Sequence, residues 1–323
     1  MDAFRGISFN LYMVHGGSSF GYMSGANLDR VYEPIISAYD YDSPIDEAGR
    51  PTPKFEAIRG VIRKHLPEGT TLPDLPAPLP MIAVPRFELR ESAPLASGLG
   101  DPVRSAAPLP MEKLGKQAQS YGLILYRTRI DRPMKGTLEV TEARDYAVIS
   151  QGERRFGALD RRKRQSKVEV DLEAGKPLDI VVFNLGRANF GPHLVDDFKG
   201  ITEKVTLNGK ELTAWEIYPL PFDEPGKLPY SPRPATGPAL YRGSFQLSES
   251  GDTFLDLRGW GMGAVWVNGH NLGRYWKVGP QQSLFVPATW LKTGANEVIV
   301  LDLEEGGARS IAGTKDPIYE TPA

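Results

Sequence analysis

The feature that most constrains this chain is a pattern written twice. Asp145-Tyr146-Ala147-Val148-Ile149-Ser150-Gln151-Gly152 parallels Met262-Gly263-Ala264-Val265-Trp266-Val267-Asn268-Gly269, and a second glycine follows each, Gly157 and Gly273. Further on, Leu172-Glu173-Ala174-Gly175 parallels Leu291-Lys292-Thr293-Gly294, and each leads into an apolar run, Leu178 to Phe183 and Val298 to Leu303. Short β-branched and aromatic runs separated by glycine turns are strand signals. Two copies of strand, turn, strand, turn, strand predict two β-sandwiches of jelly-roll type, over 119–220 and 221–323. Proline-rich Pro219 to Pro238 links them, and the 34 Gly and 28 Pro suit a turn-rich, mainly β chain.

Residues 1–66 have a different texture. Ile7-Ser8-Phe9-Asn10-Leu11-Tyr12-Met13-Val14 has the content of a buried strand and ends at Gly16-Gly17. A loop of about thirty residues follows, rich in Gly, Ser, Asn, Asp and Tyr, and loops of that length are functional or disordered. Pro53 opens a helix with Thr52 as N-cap; Phe55, Ile58, Val61, Ile62 and Leu66 form its apolar stripe, and Pro67 stops it. One strand and one helix cannot bury their apolar faces alone. A buried strand, a long loop and a helix read as the last β/α unit of a (β/α)8 barrel whose earlier units lie outside the chain. Residues 67–118 are proline-dense and read as an extended connector holding one strand, Ile82 to Leu89.

Charge and composition narrow the function. With 38 basic and 40 acidic side chains the formal charge is -2, which gives no reason to expect nucleic acid or an anionic membrane as partner. The run Arg161-Arg162-Lys163-Arg164 lacks interleaved aromatics and reads as a solvated hairpin turn. No apolar run approaches the ~18 residues of a spanning helix, and the first residues are not a signal peptide. Cysteine is absent and four histidines are scattered, so neither thiolate chemistry nor a zinc site is expected. No cofactor and no metal are expected.

Three stretches carry a family resemblance. Ser8-Phe9-Asn10-Leu11-Tyr12-Met13-Val14-His15-Gly16-Gly17-Ser18-Ser19-Phe20-Gly21 resembles the eighth-strand motif of family 35 glycoside hydrolases, the β-galactosidases. Ala38-Tyr39-Asp40-Tyr41-Asp42-Ser43-Pro44-Ile45-Asp46-Glu47-Ala48-Gly49 is similar to the segment after it. The run from Gly259 to Trp276 is similar to the family's C-terminal galactose-binding-like jelly roll. The resemblance covers nearly the whole chain, in the family's order.

It implies a retaining enzyme acting on β-galactosides, with an acid/base and a nucleophile glutamate ~5 Å apart. By resemblance these follow the fourth and seventh barrel strands and precede residue 1, so no catalytic residue is expected in this chain. Two substrate-facing residues are implied: Tyr12, on a family tyrosine that approaches the nucleophile, and Tyr41, on one that contacts galactose. A phenol offers a face to the sugar ring and a hydroxyl to its oxygens. Ser18-Ser19 departs from the usual Thr-Asn.

Plainer uses compete with these. Tyr12 could be a buried strand tyrosine, and His15 a packing residue beside Gly16-Gly17. Asp40 and Asp42 fit loop-capping bonds better than a catalytic pair. Trp260, Trp266 and Trp276 read as sandwich core rather than sugar platforms. His270-Asn271 reads as a turn, and Asn296-Glu297, the chain's one Asn-Glu pair, as a surface strand position. Two other wholes fit the sequence: a non-catalytic carbohydrate-binding or scaffolding protein, and one half of a split enzyme whose barrel segment is encoded separately.

Overall fold

The computed structural model describes residues 8–39, 42–304 and 309–320. The described chain is mainly β, with one α-helix, Pro53–Lys64.

Both copies of the repeated pattern form the same arrangement. In the first, Tyr146–Gln151 pairs antiparallel with Arg154–Asp160 on one side and with Pro177–Phe183 on the other. In the second, Met262–Val267 pairs likewise with His270–Trp276 and with Gly294–Asp302. The second hairpin turns at Asn268-Gly269, whose φ values of 50° and 85° are those of a two-residue turn that matches strand twist.

Each repeat forms one edge of a larger sheet. Leu123–Arg129, Trp215–Leu220 and Val103–Ser105 extend the first into a six-stranded sheet. It packs on a four-stranded sheet that includes Met134–Val140 and Lys167–Leu172, through Ile124, Tyr126, Ile149, Ile180, Val182, Leu138 and Val170. Ala239–Leu247 and Glu91–Pro94 extend the second into a five-stranded sheet, which packs on Thr253–Asp256, Ser283–Val286, Ser310–Thr314 and Val84–Glu88.

The two larger sheets also pack on each other. Along Leu123–Arg129, Ile124 and Tyr126 point into the first sandwich while Leu123 and Leu125 face the second. Along Gly294–Asp302, Val298 and Val300 point into the second sandwich while Ile299 and Leu301 face the first. Central strands are therefore buried on both faces, which is why they read as unbroken apolar runs rather than alternating ones. Beyond this shared core the six-stranded sheet carries a cross-strand ladder of opposite charges, Arg104–Glu216 at 3.0 Å and Arg127–Asp179 at 2.6 Å.

Several expectations need correction. Residues 8–14 form no strand and are not buried: Phe9, Leu11 and Val14 are 50%, 38% and 40% exposed. A strand needs a ladder of backbone bonds and a surface that covers its side chains, and here the Val14 carbonyl accepts from the Ile45 N–H at 2.9 Å without a ladder forming among the described residues. Only half of the basic run is solvated: Lys163 and Arg164 are exposed, whereas Arg161 and Arg162 are partly buried, Arg161 binding Asp145 and Asp197 and Arg162 binding Asp160. Asn296 is fully buried, its amide binding the backbone of Lys292 and Gly294. Trp260 and Trp266 are core, at 1% and 2% exposure, as expected, while Trp276 is only partly buried beneath the Arg162 guanidinium, 3.7 Å from its ring. The helix begins as expected, with Thr52 Oγ1 accepting from the Phe55 N–H, yet none of its residues is buried.

Candidate functional site

Tyr12 stands on the surface at 82% exposure, so it is not the packed strand tyrosine of the plainer reading. Its hydroxyl lies 3.1 Å from that of Tyr39. The backbone brings them together: Tyr39 N–H donates to Gly17 O at 3.0 Å, and Ser18 bridges Ala38 antiparallel. Tyr41 and Asp40 lie outside the described residues. Asp42 is exposed and pairs with Lys54 at 2.5 Å, and His15 is exposed with its backbone bridged to Ile45.

Behind this tyrosine pair the chain is tied down by a partly buried carboxyl. Glu47 accepts from Ser18 Oγ at 2.6 Å and from the Tyr319 hydroxyl at 3.1 Å. Burial pushes its carboxyl up to about 7, against the pull of the two hydroxyls, with Asp46 adding to the rise. The neighbouring turn is closed by Asp46, which accepts from the Ala48 and Arg50 N–H groups and pairs with the Arg50 side chain. Arg50 also reaches Asp316 at 2.8 Å.

The long loop between Gly17 and Pro53 is not loose. Its middle lies against both sandwiches. Ala26 N–H donates to Arg187 O, and the Tyr32 hydroxyl binds Asp145 and Gly186 O at 2.9 and 2.6 Å. Asp145 belongs to a buried ionic group with Lys199, Asp197 and Arg161: Lys199 Nζ sits 2.9 Å from Asp145 and 3.0 Å from Asp197. Burial draws the Lys199 ammonium below its ordinary range against the pull of the two carboxylates. Burial raises Asp197, but Lys199 and Arg161 outweigh it and hold the carboxyl below its ordinary range.

From the second sandwich, Ala38 N–H donates to Gln281 Oε1 at 2.9 Å, and the buried Arg274 guanidinium donates to Ser24 O and Ile35 O at 3.0 and 3.1 Å. The scaffold thus delivers an exposed pair of phenols on a loop whose flanks are pinned to both sandwiches.

Of the residues singled out from sequence, the fold sets Tyr12 beside the segment that leads to Tyr41. Tyr39, Glu47, Arg274 and Gln281 were missed, because what marks them is contact with residues far along the chain. Among the described residues no group of three or more His, Asp or Glu is placed to hold a metal ion, and no helix is long and apolar enough to cross a membrane.

Comparison with known proteins bears on this arrangement. A family model described as glycosyl hydrolases family 35 matches residues 3–65. One described as the β-galactosidase first all-beta domain matches 108–221, and one described as the β-galactosidase galactose-binding domain matches 238–296. A β-galactosidase of Xanthomonas manihotis is 42% identical over 288 residues, covering 87% of this chain and 47% of that protein. A β-galactosidase of Mus musculus is 36% identical, covering 93% of this chain and 50% of its own length. The human β-galactosidase-1-like protein 3 is 36% identical, with 96% and 49% covered. The chain spans about half the length of the curated relatives it matches.

Proposed function

This chain belongs to glycosyl hydrolases family 35 and corresponds to the C-terminal portion of the family's β-galactosidases, and on that premise we propose that the whole protein hydrolyses terminal β-D-galactosyl residues with retention. The observation that carries this reading is the succession of matched segments, 3–65, 108–221 and 238–296, together with the identity to β-galactosidases along 87% or more of the chain.

Retaining hydrolysis needs one carboxylic acid to protonate the leaving oxygen and one carboxylate to attack the anomeric carbon, ~5 Å apart. We place both outside residues 1–323. Within the chain, residues 1–66 act as the final β/α unit of the catalytic barrel. Two features support this. Phe9, Leu11 and Val14 lie exposed, and the stripe Phe55, Ile58 and Ile62 on Pro53–Lys64 is only partly covered. Neighbouring β/α units would bury both.

In the assembled barrel Tyr12 and Tyr41 face the galactosyl ring, and Tyr12's exposed hydroxyl supports its assignment. The segment 67–118, which lends strands to both sandwiches, and the sandwiches 119–220 and 221–323 brace the barrel. A purely sugar-binding role draws less support, since Trp260 and Trp266, two of its candidate platforms, are core.

The test is hydrolysis of a chromogenic β-galactoside by residues 1–323 alone and by the chain together with a polypeptide supplying the other barrel units. The expected result is no turnover alone, turnover together, and β-galactose as the first product seen by proton NMR. Turnover by residues 1–323 alone, or α-galactose as first product, overturns the proposal.

A further inference from the structure

The loop behind the tyrosine pair is closed by one carboxyl that forms no ion pair with a cation among the described residues. Glu47 accepts from Ser18 on one oxygen and from Tyr319 on the other. Tyr319 sits on a segment fixed to the second sandwich: Ile318 N–H donates to Ser283 Oγ, Gln282 N–H donates to Ile318 O, and Tyr319 bridges Gln281. Ser18 pairs with Ala38, next to Tyr39. Glu47 is therefore one link from a fixed edge of the sandwich to the stretch that presents Tyr39 to Tyr12, beside the bond from Ala38 N–H to Gln281 Oε1.

We propose that Glu47 is a proton-operated latch, holding the loop that carries Tyr39 against the segment 316–320 when neutral and loosening it when ionised.

The charged and titratable groups around it explain why. On its own turn, Asp46 repels a second negative charge, and the Arg50 guanidinium is already held by Asp46 and Asp316. From the C-terminal segment come Tyr319, Asp316 and Lys315, whose carbonyl accepts from Arg50. His15 lies at the start of the facing segment and is exposed. No cation among these forms an ion pair with Glu47, so an ionised carboxylate there keeps two hydroxyl donors but loses the hydration it would have in water. Both hydroxyls can rotate to serve the protonated acid, so neutral Glu47 keeps its contacts. The rise of this carboxyl to about 7 agrees with that geometry.

The latch itself does not rest on the proposed galactosidase reading. The latch is read by amide exchange, which needs no activity, so its failure and the failure of that reading are separate results. Hydrogen exchange of residues 1–323 is followed by mass spectrometry at pH 6 and pH 8, corrected for the intrinsic pH dependence of exchange, over peptides covering 15–20, 43–50 and 316–320. Protection of these segments is expected to fall about tenfold between the two pH values, the linkage for a carboxyl that titrates near neutrality when closed and as an ordinary glutamate when open. In the Glu47→Gln variant the change is expected to be under about twofold, since the amide cannot ionise.

Constant protection in the native chain overturns the proposal. So does an equal fall in Glu47→Gln, which would assign the effect to a group other than Glu47. Should Glu47→Gln not fold, the Glu47 carboxyl titration is followed by carbon NMR in the native chain and in Tyr319→Phe. Losing a donor to the anion must move the midpoint upward, and an unmoved midpoint overturns the proposal.

Discussion

The guanidinium of Arg274, on the strand His270–Trp276, donates to the carbonyl of Ile35 at 3.1 Å, 239 residues away in the long loop. The same group donates to Ser24 O at 3.0 Å and reaches Asn184 O of the first sandwich at 3.4 Å. One planar fork thus joins the loop and both sandwiches, where a lysine offers only a compact ammonium. Arg274→Met should cost roughly 3 kcal/mol or more, because each buried carbonyl left without a donor costs about 1–3 kcal/mol. Arg274→Lys should recover part of that. Urea unfolding of the three proteins at one pH checks both; equal midpoints would show that the carbonyls find other donors.

Glu304 makes the ionic counterpart of that join. Its carboxylate accepts from the Tyr146 hydroxyl at 2.7 Å and from Arg155 at 3.1 Å, both in the first sandwich, and from Lys277 of the second at 3.0 Å. Burial raises this carboxyl, but the Tyr146 hydroxyl, Lys277 and Arg155 outweigh it and bring it to about 2. A depressed folded value means that the contribution is fully present above the unfolded glutamate range, near ~4.3, and is lost as pH falls toward about 2. Glu304→Gln should therefore be less stable than the native chain at pH 7, by about 1–3 kcal/mol, with the gap closing below pH ~4. Denaturant titrations at pH 7, 4 and 2.5 measure it, and a gap independent of pH would assign the loss to packing.

Tyr12 should separate function from stability. At 82% exposure its hydroxyl contributes little to folding, so Tyr12→Phe should leave the unfolding midpoint of this chain within about 0.5 kcal/mol of native. On the proposed galactosidase reading the same change in the whole protein should lower kcat/KM about 10- to 100-fold, the range for a hydrogen bond to a developing charge. Tyr39→Phe removes the hydroxyl 3.1 Å away and should produce a smaller fall of the same kind. Steady-state kinetics beside calorimetry decides; a large loss of stability in Tyr12→Phe would return the residue to a structural role.

What the sequence made legible was local or periodic. The doubled Gly-punctuated run located three strands of each sandwich, and Thr52-Pro53 located the helix start. What stayed hidden depends on residues far apart in the chain. Nothing near Arg161 or Lys199 announces that they meet Asp145 in the interior, so the basic run read as solvated. The apolar stretch 8–14 read as a strand because composition reports burial potential, whereas strand formation needs a neighbour. The packing of sheet on sheet was likewise unwritten: an apolar run such as Leu123 to Tyr126 says that both faces are covered, but not by what. Of the candidate site, Tyr12 was named through resemblance, and its partner Tyr39 emerged only from geometry.

Gly263 gives the sharpest test of how the repeat became asymmetric. It stands where the first copy has Tyr146, so nothing in strand chemistry demands glycine. Space does. A Cβ added there would sit 1.8 Å from Leu301 O and 3.3 Å from the Tyr275 ring, whose hydroxyl crosses over this glycine to donate to the same carbonyl at 2.9 Å. Leu301 belongs to a central strand and the Tyr275 side chain is buried in the core, so neither can retreat without disturbing the packing. Gly263→Ala should therefore destabilise by about 3 kcal/mol or more, at the upper end of overpacking costs. Gly226→Ala is the control, because its Cβ would meet nothing closer than 3.6 Å, and it should stay within about 0.5 kcal/mol of native. Urea unfolding of the two variants side by side measures the difference. If Gly263→Ala unfolds with the control, the Tyr275 side chain has moved aside, and its bond to Leu301 O is not what fixes the glycine.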